Sequence, residues 1–180
     1  MKKALLWLMT VVCLSALLIC PASALRGDDV EPLSWDDCKP YFEPDGGRFI
    51  KFYQVGLMVW MSNSYQSVDL TRQDINDGVI GYYLLNGGEP YGMEVIYRVT
   101  GAENRDEYER EVLASGGTNV LFTTINGMPG MIFDRSGSNA VCAALVDDFG
   151  GVTEFRFFPA SSDGFYYDAQ NMICSIQPIS

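Results

Sequence analysis

Residues Ala140 to Val146, AVCAALV, are apolar on both alternations of an extended chain. A strand with one wet face alternates apolar and polar side chains, so this run must be covered on both sides. Turn signals and further strand runs surround it. Arg48 to Val55 and Leu57 to Met61 are aromatic and β-branched, with Gly56 as a bend between them. Val79 to Leu85 and Gly92 to Thr100 flank an Asn-Gly-Gly-Glu-Pro turn, as a hairpin requires. Asn119 to Ile125, Gly130 to Asp134 and Val152 to Phe158 complete the strand set, each bounded by Gly, Asn, Asp or Pro.

Two helices supply the covers. Asn104 to Ser115 opens with a capping-box pattern, Asn104 and Glu107, and stops at Gly116; its apolar side is Tyr108, Val112 and Leu113. Asp163 to Ile176 carries a stripe of Phe165, Ala169, Met172, Ile173 and Ile176 at helical spacing. Thr71 caps a short helical turn, and Asn63 to Leu70 reads as a polar connection. The expected fold is α+β: a mostly antiparallel sheet of six to eight strands with helices packed over it.

The first 24 residues have the form of a secretory signal. Lys2 and Lys3 precede an apolar stretch from Ala4 to Ile19, and Ala22-Ser23-Ala24 is a small-residue cleavage pattern. A lipoprotein reading at Cys20 is opposed by the bulky Ile19 before it. Residues 25–37 are polar and acidic and read as a flexible lead-in, leaving 38–180 as a single α+β domain without a membrane anchor once the signal is cleaved. The expected location is therefore outside the cytoplasm, secreted or in the cell envelope.

Charge and composition narrow the chemistry. There is no histidine in the 180 residues, so Ser-His-Asp, Cys-His and His-metal sites cannot be built from this chain. Twelve Lys and Arg against 23 Asp and Glu give a net charge of −11, opposed to nucleic acid or an anionic membrane as main partner. Of five cysteines, Cys38, Cys142 and Cys174 follow the signal. An odd number leaves at least one thiol unpaired within a monomer. Cys142 and Cys174 read either as small buried hydrophobes or as a disulfide pair.

Paired carboxylates are the remaining route to hydrolysis. Asp147 with Asp148, and Glu89 with Glu94, are the candidates, but three of the four sit in turns where backbone geometry alone favours them. Asp74 to Gly78 lacks the spacing and the twelfth-position Glu of a calcium loop, and Ser115 to Thr118 follows a helix where a phosphate loop must precede one. No catalytic residue, cofactor or metal is expected. Aromatic side chains are more promising. Tyr82, Tyr83, Tyr91, Tyr166 and Tyr167 are candidate ligand contacts, with Trp35, Trp60 and Tyr65 in the same pool.

The segment Ile125-Asn126-Gly127-Met128-Pro129, then two strands, Asp148-Phe149-Gly150-Gly151, VTEFRFFP, Ser161-Ser162-Asp163-Gly164-Phe165 and the closing Ser175-Ile176-Gln177 resembles the second half of the PsbP-like α/β/α sandwich. The chain is also similar to small secreted bacterial proteins of that shape. The resemblance implies the fold and transfers no active-site residue, because that fold hosts several unrelated roles. The metal chemistry of the photosynthetic relatives is not implied, since their ligands include His. The expected function is a secreted, non-enzymatic binding or accessory domain for an envelope or extracellular protein or glycan, with a carboxylate-dependent hydrolase of polysaccharide or peptide as the alternative.

Overall fold

The computed structural model describes residues 32–39, 46–87, 90–147, 149–160 and 163–180, with the backbone alone for 163–167. The expected signal, residues 25–31, Glu89, Asp148 and the side chains of Tyr166 and Tyr167 lie outside the described residues. The elements, in chain order, are α1 (Trp35–Cys38), β1 (Gly47–Phe52), β2 (Leu57–Ser62), β3 (Tyr65–Ser67), α2 (Arg72–Asn76), β4 (Val79–Leu85) and β5 (Gly92–Val99). Then follow α3 (Arg105–Ala114), β6 (Gly117–Ile125), β7 (Met128–Arg135), β8 (Ala140–Val146), β9 (Gly151–Phe158), α4 (Asp163–Cys174) and β10 (Gln177–Pro178).

Seven strands form one antiparallel sheet in the order β3-β4-β5-β9-β8-β7-β6, and β1-β2-β10 form a second, smaller sheet. The second sheet was not foreseen. Nothing in an amphipathic strand says which sheet it joins, and β2 is claimed by the distant Gln177 and Pro178.

β8 is covered on both faces, as its composition requires. Val141, Ala143 and Leu145 join one core cluster with Val95, Phe155, Phe157, the small sheet's Phe52, Val59 and Met61, α4's Ala169, Met172 and Ile173, and Ile176 just beyond the helix, which ends at Cys174 rather than at the expected Ile176. Ala140, Cys142 and Ala144 join the other, with Met131, Phe133, and Tyr108 and Val112 of α3. The alternation of β8 therefore sends Cys142 to the α3 side, whereas Cys174 ends the helix on the opposite side. The Cys142–Cys174 disulfide considered from sequence is not formed, because the sheet itself stands between the two thiols; all three described cysteines are free.

The helix ends show which local signals held. Thr71 and Asp74 form a complete capping box on α2, Asp74 N donating to Thr71 Oγ1 at 3.2 Å and Thr71 N to Asp74 Oδ2 at 2.7 Å. In α3 the Asn104 side chain accepts from Glu107 N at 3.0 Å, but Glu107 Oε2 takes the amide of Glu103 in place of that of Asn104. Leu113, expected on the apolar side, is 52% exposed, because only Tyr108 and Val112, four apart, meet the sheet. Asn104→Ala should therefore cost about 1 kcal/mol in chemical denaturation. Leu113→Gln should stay within about 0.5 kcal/mol of the parent.

The expected lead-in, residues 25–37, is structured from Leu33 onward. Leu33 makes a parallel bridge to Ile125, with Leu33 N donating to Thr124 O and Asn126 N to Leu33 O, both at 2.8 Å. Polarity alone hid this, since the segment is held by backbone groups and one asparagine.

Candidate functional site

Asn126 builds the neighbourhood of α1. It occupies the first position of the Asn-Gly turn between β6 and β7 with φ of 47°, a left-handed conformation that Asn tolerates better than most residues. Its Oδ1 accepts from Trp35 N at 2.7 Å, while its Nδ2 donates to the carbonyls of Cys174 at 2.7 Å and Ile176 at 2.8 Å. One side chain thus ties the start of α1 to the end of α4.

Trp35 is thereby set against the outer face of the small sheet. Ile50 and Phe52 turn inward on β1, as do Val59 and Met61 on β2, so Phe49 and Trp60 point outward and face each other in register. The Trp35 ring meets Phe49 edge-on at 5.5 Å and lies 6.2 Å from Trp60 at a 33° tilt. Trp60 is braced by its amide donating to Ser175 Oγ at 2.8 Å. Gly47 is required here, because a Cβ would enter the Trp60 ring.

These three half-buried rings, with exposed Lys39 and Arg48, line an open cavity of about 440 Å³. On the other side of the same segment lies an apolar cavity of about 430 Å³, walled by Leu33, Cys38, Ile132, Val141, Ile173 and Cys174. The segment 33–39 is the wall common to both. Half-buried rings grouped along an open cavity beside an exposed lysine are suited to stacking a flat, weakly polar ligand face and hydrogen-bonding its rim.

The predicted tyrosines are not gathered into one site. Tyr82 lies on the α3 side of the main sheet, 6.0 Å from the Phe158 ring and opposite Glu94. Tyr83 turns to the other face and packs edge-on against Phe52 at 6.3 Å. Tyr91 packs against that same cluster. Trp35 and Trp60, from the wider aromatic pool, do come together; Phe49, Lys39 and Arg48 were missed. The available signal was Phe49 itself, an aromatic ring on the polar alternation of β1.

The carboxylates have structural work. Asp147 Oδ1 accepts from Phe149 N and Gly151 N, both at 2.8 Å, closing the turn before β9. Glu94 pairs with Arg156 at 3.3 Å. Glu154, a residue overlooked in the sequence, is wholly buried under α3 and accepts from Arg135 at 2.8 and 3.1 Å, Arg156 at 2.6 Å, Arg98 at 3.1 Å and the Tyr108 hydroxyl at 2.8 Å. Burial alone would raise its pKa, but the hydrogen bonds and charges of Arg135 and Arg156 hold it down at about 2. Tyr108 is pushed up to about 12 by burial and by that carboxylate. A carboxylate so neutralised is a poor general acid or base near neutral pH.

No protein-family model matches the sequence, and no curated protein matches it. Among solved structures, the solution structure of cyanobacterial PsbP (CyanoP) from Synechocystis sp. PCC 6803 superposes with a TM-score of 0.55, covering 76% of this chain and 95% of that one at 10% identity. The fold is PsbP-like. At that identity the likeness speaks for architecture alone, which matches the α+β arrangement expected from the turns and closing helix. Among the described residues of this PsbP-like chain, no helix is long and apolar enough to cross a membrane.

Proposed function

We propose that the protein is exported and acts as a non-enzymatic accessory domain that binds a neutral saccharide at the Trp35, Phe49 and Trp60 cluster. The observation that carries this reading is the convergence of three half-buried rings, Phe49 of β1, Trp60 of β2 and Trp35 of α1, on the face of the small sheet turned away from its core cluster. The C–H face of a sugar ring is apolar and stacks on indole, while Lys39, exposed at the edge of the same cavity, is placed to donate to its hydroxyls. An uncharged sugar fits a chain of net charge −11 better than a polyanion does. A PsbP-like fold is compatible with an accessory role. The leader at residues 1–24 supports a location where free glycans occur.

Intrinsic fluorescence reads the site directly. The chain has three tryptophans, Trp7, Trp35 and Trp60, and the first belongs to the expected leader. Titration of the chain from residue 25 with cello- and chito-oligosaccharides should give a saturable emission change. Trp60→Ala should weaken binding about tenfold with an unchanged circular dichroism spectrum. No saturable response to either series would overturn the saccharide reading.

A further inference from the structure

We propose that Cys38 and Cys174 form a disulfide in the exported protein, a cross-link that ties α1 to α4. This inference rests on the export reading for its oxidising compartment, and on the structure for its geometry. The two residues are far apart in sequence, yet each is the last residue of its helix and the helices pack against one another. Both side chains line the same apolar cavity, close enough for each thiol to feel the other.

Their approach is held by bonds that do not involve sulfur. Asn126 binds the amide of Trp35 and the carbonyl of Cys174 through one side chain. Ser175 Oγ accepts from Trp60 N at 2.8 Å and donates to Met172 O at 2.7 Å, so the end of α4 is fixed from its other side. The third thiol is excluded from the pairing. Cys142 is fully buried beneath α3 on the far face of the main sheet. The odd cysteine count is thus accounted for: two join, and the third fills space in the core.

The order of the chemistry follows from exposure. Cys38 is half-buried and open to a second molecule, whereas Cys174 is buried and its thiol is pushed up to about 12, by burial first and then by Cys38. The Cys38 thiolate attacks the disulfide of an oxidant of the thiol–disulfide exchange class, R–S–S–R. The first RSH leaves and a mixed disulfide forms on Cys38. The Cys174 sulfur then attacks the Cys38 sulfur, breaks the mixed bond and releases the second RSH. Two thiol protons and two electrons pass to the oxidant, which becomes two thiols.

The test has two samples and two separate readouts. Protein recovered from the extracytoplasmic fraction, and chain made with reduced thiols and then treated with oxidised glutathione, are digested without reductant. Peptide mapping should find the Cys38 peptide joined to the Cys174 peptide in both, with Cys142 alkylated only after denaturation. Reduction should lower the Tm of the oxidised protein by about 8 °C. Cys38→Ser should show the lower Tm and no response to reductant. Alkylation of both Cys38 and Cys174 in the glutathione-treated sample, or a bridge that includes Cys142, would overturn the proposal. The N-terminal residue of the recovered protein decides export on its own: Leu25 supports it and Met1 refutes it. The glutathione-treated sample decides the pairing whichever terminus is found.

Discussion

Glu154→Gln should lower stability by about 3–5 kcal/mol, the loss expected when one member of a buried ion cluster is neutralised. In a chain of this size the Tm should fall by about 10 °C or more. The carboxylate is wholly buried, and Arg135 and Arg156, themselves largely enclosed, are organised around it. Gln keeps the shape but removes the charge, so those guanidinium groups remain in a low-dielectric setting without their counter-ion. The pH dependence has a definite sign. The folded-state pKa of about 2 lies below the ordinary 4.5, so the stabilisation is complete above about pH 4.5 and declines as pH falls toward 2. The decline amounts to about 3 kcal/mol. Urea denaturation between pH 2 and 7 should show a steeper slope in the parent than in Glu154→Gln, where Asp74 still contributes a smaller one of the same sign; equal slopes in the two would contradict the account.

Asn126→Ala should cost about 3 kcal/mol. Three hydrogen bonds are lost at about 1 kcal/mol each, and alanine adds roughly 1 kcal/mol for the left-handed backbone, part of which relaxation returns. The consequence is local as well as global. Asn126 bonds both Trp35 and the end of α4, so in the variant with reduced thiols Trp35 emission should shift to the red and cleavage near residues 33–39 should accelerate under limited proteolysis. Asn126→Gly separates the two contributions: it relieves the backbone term and keeps the loss of side-chain bonds, so it should be milder than alanine by about 1 kcal/mol.

The antiparallel core was legible because its signals are local. Val79–Leu85 and Ala140–Val146 have the bounds their composition implies, and the two-sided cover of β8 follows from seven apolar residues in a row. The stripe of α4 was equally readable: Ala169, Met172 and Ile173 are buried, as is Ile176 just past the helix end, while the side chain of Phe165 lies outside the described residues. Pairings set by distant partners were hidden. β1 and β2 left the main sheet to meet β10, and Tyr65–Ser67, within the expected polar connection, became an edge strand on β4. Glu154 passed unnoticed because an isolated Glu in VTEFRFF gives no hint that Arg98 and Arg135, far away in sequence, will converge on it. The candidate site was half visible. Trp35 and Trp60 were known aromatics, but the turn residue that brings them together reads in sequence merely as the start of a hairpin.

The two margins of the main sheet have a consequence for life in a crowded fluid. One margin, β3, offers only three residues for an incoming strand. The other, β6, is broken by an irregularity between Thr118 and Leu121, with Asn119 at φ 53°, and is occupied at its far end by Leu33. Among the described residues neither margin of the main sheet presents a long, straight row of vacant amides and carbonyls, so this sheet offers other copies little template on which to stack into fibrils.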